Sequence, residues 1–219
     1  MLRLHGFAVS NYFNMVKLAL LEKGLDFEVK VVHPNQEDSF LAISPRGKVP
    51  CLETEHGFVS ETNVILEYIE ETHGGKRLLP EDAFERATVR ALTKEIELYI
   101  ELPARTCYVE VFFGGKVEQA IKEKAKADLL GGVAALKRHG KFAPYVAGSE
   151  MTIADLMFLY SIDLASAVAK KLFGIDLLAD FPEAQALLKT LSENPNVQKV
   201  EADKNAEMAA FIAAARAGR

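Results

Sequence analysis

Residues 44–71 read SPRGKVPCLETEHGFVSETNVILEYIEE and hold the chain's densest set of groups that could bind or react. The turn Ser44-Pro45-Arg46-Gly47 leads into a short apolar strand containing Val49-Pro50. Pro50 has no N–H to give a ladder, and an X-Pro bond beside a strand takes the cis form at little cost. A second short strand follows His56-Gly57, and Ser60-Glu61-Thr62 then opens a helix with Val64, Ile65, Tyr68 and Ile69 at helical spacing. A polar pair at a helix N-terminus is a ready anion site. Together these parts suit the holding of an extended peptide with a carboxylate at one end.

The elements that position these groups follow from periodicity. Leu2 to Gly6 alternates apolar and polar residues and predicts a short strand. Phe7 to Asn11 is a turn or loop, and the spacing predicts a helix from about Tyr12 to Lys23, stopped by Gly24. Phe27 to Val32 has strand chemistry. A short helix is expected near Asp38 to Ile43, strands near Val49 to Glu53 and Gly57 to Val59, and a helix over Glu61 to His73. The first half is βαβ, which requires a parallel pair, and the second half can close as a hairpin. The expectation is a small mixed sheet of about four strands.

Beyond this region strand signals nearly vanish. A long helix is expected over Phe84 to Phe113, with Pro103 kinking or breaking it. Further helices are expected over Val117 to His139, Ile153 to about Val168, Glu183 to Glu193 and Pro195 to Ala217. Thr152 to Asp155 has capping-box spacing, with Met151 and Leu156 at the staple positions. The expected domains are 1–76 (α/β), a linker over 77–83, and an all-helical domain over 84–219.

Composition narrows the function classes. A chain that is 49% hydrophobic and 26% charged can build a sizeable core. A net charge of −5 argues against nucleic acid or an anionic membrane as the main partner. Cys51 and Cys107 form neither CxxC nor a metal-ligand spacing, so no metal is expected and a reducing compartment is the simpler reading. The N-terminus lacks the features of a signal peptide, and no apolar run approaches a spanning length. A cytoplasmic, soluble protein is expected. No GxGxxG or GxxxxGK[ST] pattern points to a nucleotide.

In this order and spacing the chain resembles a cytosolic glutathione transferase over essentially its whole length. SPRGKVPCLE is similar to the family's NPxGxVPxL signature, with Ser44 where Asn is common, and Glu61-Thr62 is similar to its Glu/Gln-Ser pair. The box at Thr152 resembles the capping motif of the family's buried core helix. The resemblance implies a thioredoxin-like N-terminal domain with a mixed four-stranded sheet, followed by an all-α C-terminal domain. It also implies glutathione as co-substrate with no permanently bound cofactor, a small hydrophobic electrophile, and a homodimer.

Roles for individual residues follow from the resemblance. Val49, before Pro50, would pair its N–H and C=O with the cysteinyl backbone of glutathione, a strand addition on a small scale. Thr62 would meet the γ-glutamyl carboxylate with its hydroxyl and a helix N-terminal N–H, and Glu61 would sit near the ligand's amino group. Both residues also suit ordinary capping. Lys48 is placed to meet the glycyl carboxylate, whereas Arg46 reads as a solvated turn residue. Serine-type members have Ser at the place of Ser10, six residues before Val16. A free thiol titrates near ~8.5, and a hydrogen bond to a charged partner contributes roughly 1.5–3 kcal/mol, so one hydroxyl could lower a thiol pKa by about one to two units. Ser10 could instead only cap the first helix, and Asn11 or Tyr12 could supply the donor. Tyrosine-type members carry Tyr in the first strand or loop, where this chain has His5 and Phe7. Cys51 reads as a strand residue. The electrophile site would draw on Phe7, Tyr12, Tyr99, Tyr108 and Phe112, each of which core packing could also explain.

The leading expectation is an enzyme that ionises glutathione and directs the thiolate at an electrophilic carbon. A glutathione-dependent peroxidase or isomerase would use the same pocket. A binding protein that keeps the fold without the chemistry is the third reading.

Overall fold

The computed structural model describes residues 1–217, with side chains described through Ala214. The chain forms two compact units, one of Met1–Leu78 with Asn194–Ala214, the other of Leu79–Glu193. The first boundary falls inside the expected linker, where Leu78 is buried and Glu70 accepts its N–H at 3.1 Å. The expected helical domain of 84–219 differs from this division, because residues 194–214 pack with the first unit. Its last two residues lie outside the described ones.

The first unit is built on strands β1 (Leu2–Gly6), β2 (Phe27–Val31), β3 (Cys51–Thr54) and β4 (Gly57–Ser60). Their order is β2-β1-β3-β4; β1 and β2 run parallel, and the β1–β3 and β3–β4 pairs are antiparallel. This is the expected mixed sheet of four strands. Alternation along β1 buries Leu2, Leu4 and Gly6 and leaves Arg3 and His5 half-buried. Helices α1 (Asn11–Glu22), α2 (Asp38–Leu41) and α3 (Thr62–Thr72) complete the α/β part. Helix α3 buries one stripe, Ile65, Leu66 and Ile69.

Helix α1 departs from a one-faced pattern, since every residue from Phe13 to Leu20 is buried. The long last helix, α10 (Pro195–Ala217), supplies the second cover. Its Asp203 pairs with the buried Lys17 at 2.6 Å, and Asn194 and Asn196 both donate to Glu22 at 2.8 Å. Asp203 is itself half exposed, whereas a pair buried on both sides, Lys23 with Glu70 at 2.8 Å, ties the end of α1 to α3. Removing one partner of such a pair leaves an uncompensated charge and typically costs about 3–5 kcal/mol.

The second unit is helical: α4 (Ala83–Ile96), α5 (Leu102–Arg105), α6 (Tyr108–Val111), α7 (Gln119–His139), α8 (Ile153–Phe173) and α9 (Pro182–Ser192). The single helix expected over Phe84 to Phe113 is therefore broken. A π-helical stretch, Glu97–Glu101, follows α4, and Leu102 N–H reaches back five residues to the Glu97 carbonyl. Pro103 accounts for the break: it has no N–H for the Tyr99 carbonyl four residues earlier, and its ring crowds that carbonyl. Among the described residues no helix is long and apolar enough to cross a membrane.

Helix α8 is nearly all buried along its first three turns, and Asp155 anchors its start. The Asp155 carboxylate accepts the Thr152 N–H at 2.7 Å, the Thr152 hydroxyl at 3.1 Å and the Val146 N–H at 2.8 Å. Met151 and Leu156 are buried, as a staple requires. Burial pushes the Asp155 carboxyl up to about 6, against these hydrogen bonds, which favour its charged form. Its ordinary value is about 4. With the folded value raised, the folded state holds the extra proton between about pH 4 and about pH 6. The stability from this titration is complete below about pH 4 and is lost as pH rises through about 6. Asp155→Ala strands two buried N–H groups and is expected to cost about 2–4 kcal/mol in urea unfolding near pH 5. The gap from wild type should narrow between about pH 4 and about pH 7; a gap that widens with pH would contradict this account.

Candidate functional site

The register of the sheet brings three chain segments to one end. His5 of β1 faces Cys51 of β3, and Cys51 faces Ser60 of β4. Beyond this row lie the Phe7–Ser10 loop, the Val49-Pro50 pair and the Glu61-Thr62 pair. Residues far apart in sequence are neighbours here because β1 and β4 leave the sheet where β3 enters it.

The loop after β1 is tightly determined. Gly6 has φ 154°, and a Cβ there would fall 2.4 Å from the Phe13 ring, so glycine permits the close return of α1. Ser10 donates its N–H to the Phe7 carbonyl at 3.1 Å and occupies the N-cap of α1. Its Oγ accepts the Phe13 N–H at 3.4 Å. Ser10 therefore does cap the helix. A capping oxygen uses a lone pair, which leaves the O–H to donate elsewhere. Asn11 and Tyr12 form the first helical turn and are half-buried.

The turn before Pro50 is held by Ser44, a buried residue whose hydroxyl donates to the Lys48 carbonyl at 2.7 Å and accepts the Lys48 N–H at 3.1 Å. Gly47 lies at φ 60°, where a Cβ would fall 2.0 Å from the Asn35 carbonyl oxygen. The Val49-Pro50 bond is cis. Val49 does not begin the strand as the sequence suggests; β3 starts at Cys51. Pro50 has no N–H to give, so the ladder registers begin one residue after it, and the Val49 peptide groups lie beyond them. Val49 is half-buried, Pro50 buried, and Lys48 and Arg46 exposed. Cys51 is fully buried with its thiol on the Ile43 carbonyl at 3.2 Å, and burial, aided by Glu53, pushes the thiol up to about 11. Such a thiol is not a nucleophile at neutral pH.

Glu61 is the N-cap of α3 at φ 70° and ψ 117°, and its carboxylate makes no capping bond. Ordinary capping therefore does not explain Glu61. A non-glycine residue at positive φ costs on the order of 1–3 kcal/mol and tends to mark a ligand site. Thr62 follows it, buried, at the first helical position.

Of the other expected residues, Phe7 is buried, its ring 4.4 Å from that of His33 and 5.5 Å from that of Phe211. Tyr99, Tyr108 and Phe112 belong to the second unit. Tyr99 is half exposed on the π-helical stretch, and Phe112 is 41% exposed. Tyr108 is buried and donates its hydroxyl to Glu101 at 3.1 Å. Arg105 also bonds Glu101, at 2.6 Å, and lies over the Tyr108 ring. The Tyr108 hydroxyl is thus committed to a carboxylate. Among the described residues no group of three or more His, Cys, Asp or Glu could hold a metal ion. Sequence reasoning missed Ser44's double bond to Lys48 and the contribution of α10 to the loop after β1.

Residues 4–77 match the family model for the glutathione S-transferase N-terminal domain, and residues 108–204 match that for its C-terminal domain. A glutathione S-transferase from Pseudomonas putida strain F1 is 65% identical over 219 residues, 100% of both chains. A probable maleylacetoacetate isomerase from Caenorhabditis elegans is 31% identical over 194 residues, covering 82% of this chain and 83% of that one. Glutathione transferase F2 from Populus trichocarpa shares the fold, with a TM-score of 0.81 over 94% of this chain and 100% of that one at 20% identity.

The backbone at Glu61 gives a test that needs no ligand. Glu61→Gly removes the steric penalty at φ 70° and is expected to raise stability by about 1 kcal/mol, after glycine's own entropy loss. Thermal unfolding measures it, and a destabilised variant would show that the Glu61 conformation carries no strain.

Proposed function

This chain belongs to the glutathione S-transferase family, and we propose that it holds glutathione at the shared end of β1, β3 and β4 with Ser10 donating to the thiolate. The chain is a glutathione transferase, an enzyme of a family that uses glutathione as co-substrate. No cofactor is retained between turnovers in this reading, and the second substrate is a small hydrophobic electrophile.

The observation that supports the proposal is the row His5–Cys51–Ser60, beyond which the loop after β1, the Val49-Pro50 pair and the Glu61-Thr62 pair leave the sheet at one edge. Val49, outside the ladders, offers backbone N–H and C=O to the extended cysteinyl segment. Thr62 offers a hydroxyl and the positive end of α3 to the γ-glutamyl carboxylate. Glu61, held away from capping, faces the ligand's amino group. Lys48 is exposed and long enough to meet the glycyl carboxylate. Ser10 then addresses the sulfur: its oxygen accepts the Phe13 N–H, which leaves its O–H to donate to the thiolate. The N-terminus of α1 adds positive potential at the same place. The thiolate is the nucleophile, and no bond forms between protein and substrate. Catalysis is positioning plus stabilisation of charge. Asn11 and Tyr12 are the rival donors, and Phe7 lines the same loop.

Tyr99 and Phe112 of the second unit expose aromatic surface, and the Tyr108 ring meets that of Phe112 edge-on at 5.2 Å. Pairing of two copies as a homodimer accompanies this function in the proposal. An isomerase reading has one specific support, the 31% identity to a probable maleylacetoacetate isomerase. Parallel assays with an aryl halide and a cis-enedione acid separate the two.

Ser10→Ala is expected to raise the pKa of the bound thiol by about one to two units and to lower turnover at neutral pH about tenfold or more. Glutathione affinity should change less than about threefold, because the backbone and carboxylate contacts remain. Steady-state kinetics and thiolate absorbance against pH measure both. Unchanged turnover would remove Ser10 from the mechanism.

A further inference from the structure

The loop that carries Ser10 is held from an unexpected direction. The Ala8 carbonyl accepts the Asn14 side-chain amide of α1 at 2.8 Å, and the Ala8 N–H donates to Glu207 of α10 at 3.1 Å. Both peptide groups of this buried residue, two positions before Ser10, thus rest on side chains, one of them 199 residues away. Asp203, Glu207 and Phe211 lie four residues apart and share one face of α10. Asp203 takes Lys17 at 2.6 Å, Glu207 takes Ala8, and the Phe211 ring stacks on those of Phe7 at 5.5 Å and His33 at 6.4 Å. One stripe of the last helix therefore grips the first helix, the loop, and the exit of β2.

We propose that Glu207 is a positioning residue for the thiol donor: it fixes the Phe7–Ser10 loop through the Ala8 N–H, so thiol activation depends on the C-terminal helix. This rests on the reading of Ser10 given above. Ser10 donates its own N–H to Phe7 and caps α1 through Phe13, so its hydroxyl direction follows from the path of residues 7–10. Asn14 fixes that path from the helix side. Glu207 fixes it at the Ala8 N–H, and Asp203 and Phe211 anchor the same face of α10 to Lys17 and Phe7 one turn before and after.

The test compares Glu207→Leu, Glu207→Gln, Ser10→Ala and a control, Glu201→Gln. Leucine keeps helix propensity and bulk but gives Ala8 no acceptor; glutamine keeps an acceptor. Glu201 pairs with Lys204 within α10. Glu207→Leu is expected to speed hydrogen exchange at the Ala8 amide about tenfold or more. It should also raise the pH midpoint of thiolate formation in the glutathione complex and lower turnover near pH 6.5 about three- to tenfold, with recovery near pH 9. Glutathione KM should move less than about twofold, since residues 48–62 are untouched. Glu207→Gln should retain most of the wild-type profile, and Glu201→Gln all of it. A wild-type thiol midpoint in Glu207→Leu, with Ser10→Ala shifted, overturns the proposal and leaves Ser10 in place. A shifted Glu207→Leu with an unshifted Ser10→Ala keeps the positioning role and refutes the assignment of Ser10 as donor. If Glu207→Leu does not fold, a Glu207→Gln thiol midpoint as high as that of Ser10→Ala counts against the proposal.

Discussion

Strand register is the constraint from which the rest of the site follows. His5, Cys51 and Ser60 stand side by side across β1, β3 and β4. A slip of one residue in either pairing would turn Leu4 or Leu52, both fully buried, toward the other face of the sheet. The cost of exposing such side chains, roughly 1.5–3 kcal/mol each, fixes the register. Core packing thereby decides where the chain leaves the sheet, and the chemistry inherits that position. In the proposed reading Ser10, Val49 and Thr62 need no direct contact with one another, since the segments that carry them depart from the same row.

Helix α1 carries the second constraint. It must sit close enough to β1 for Ser10 to cap it while remaining beside the loop, and Gly6 permits that approach. It is then enclosed on both sides, which is why Lys17 is buried among apolar neighbours and requires Asp203. A lysine in such a place would be costly without its partner. The same enclosure links the two ends of the chain: the first helix cannot be fully covered unless α10 folds back beside it.

Much of this was legible in the sequence, and the failures have physical causes. β1, with its alternation, and α3, with its apolar stripe, were readable from period alone. The cis bond and the Glu61-Thr62 pair followed from proline chemistry and helix-end polarity. Val49 was assigned to a strand because β-branched residues suit one, yet Pro50 postpones the ladder to Cys51. The break near Pro103 was foreseen, but its form, a stretch of five-residue bonds, depends on tertiary packing against the Tyr99 carbonyl, where α7 approaches with Gly132. The stripe Asp203–Glu207–Phe211 was invisible because α10 is rich in alanine and only weakly one-sided. Its spacing acquires meaning when Lys17, Ala8 and Phe7 are known to be its partners.

The account stands on glutathione lying extended along the shared end of the three strands with its sulfur at the amino end of α1. A crystal structure with glutathione bound tests this most directly. The expected density runs from Thr62 past the Val49 backbone, with the sulfur within hydrogen-bonding distance of Ser10 Oγ. A sulfur held by another donor, or a tripeptide bound away from the row His5–Cys51–Ser60, would contradict it.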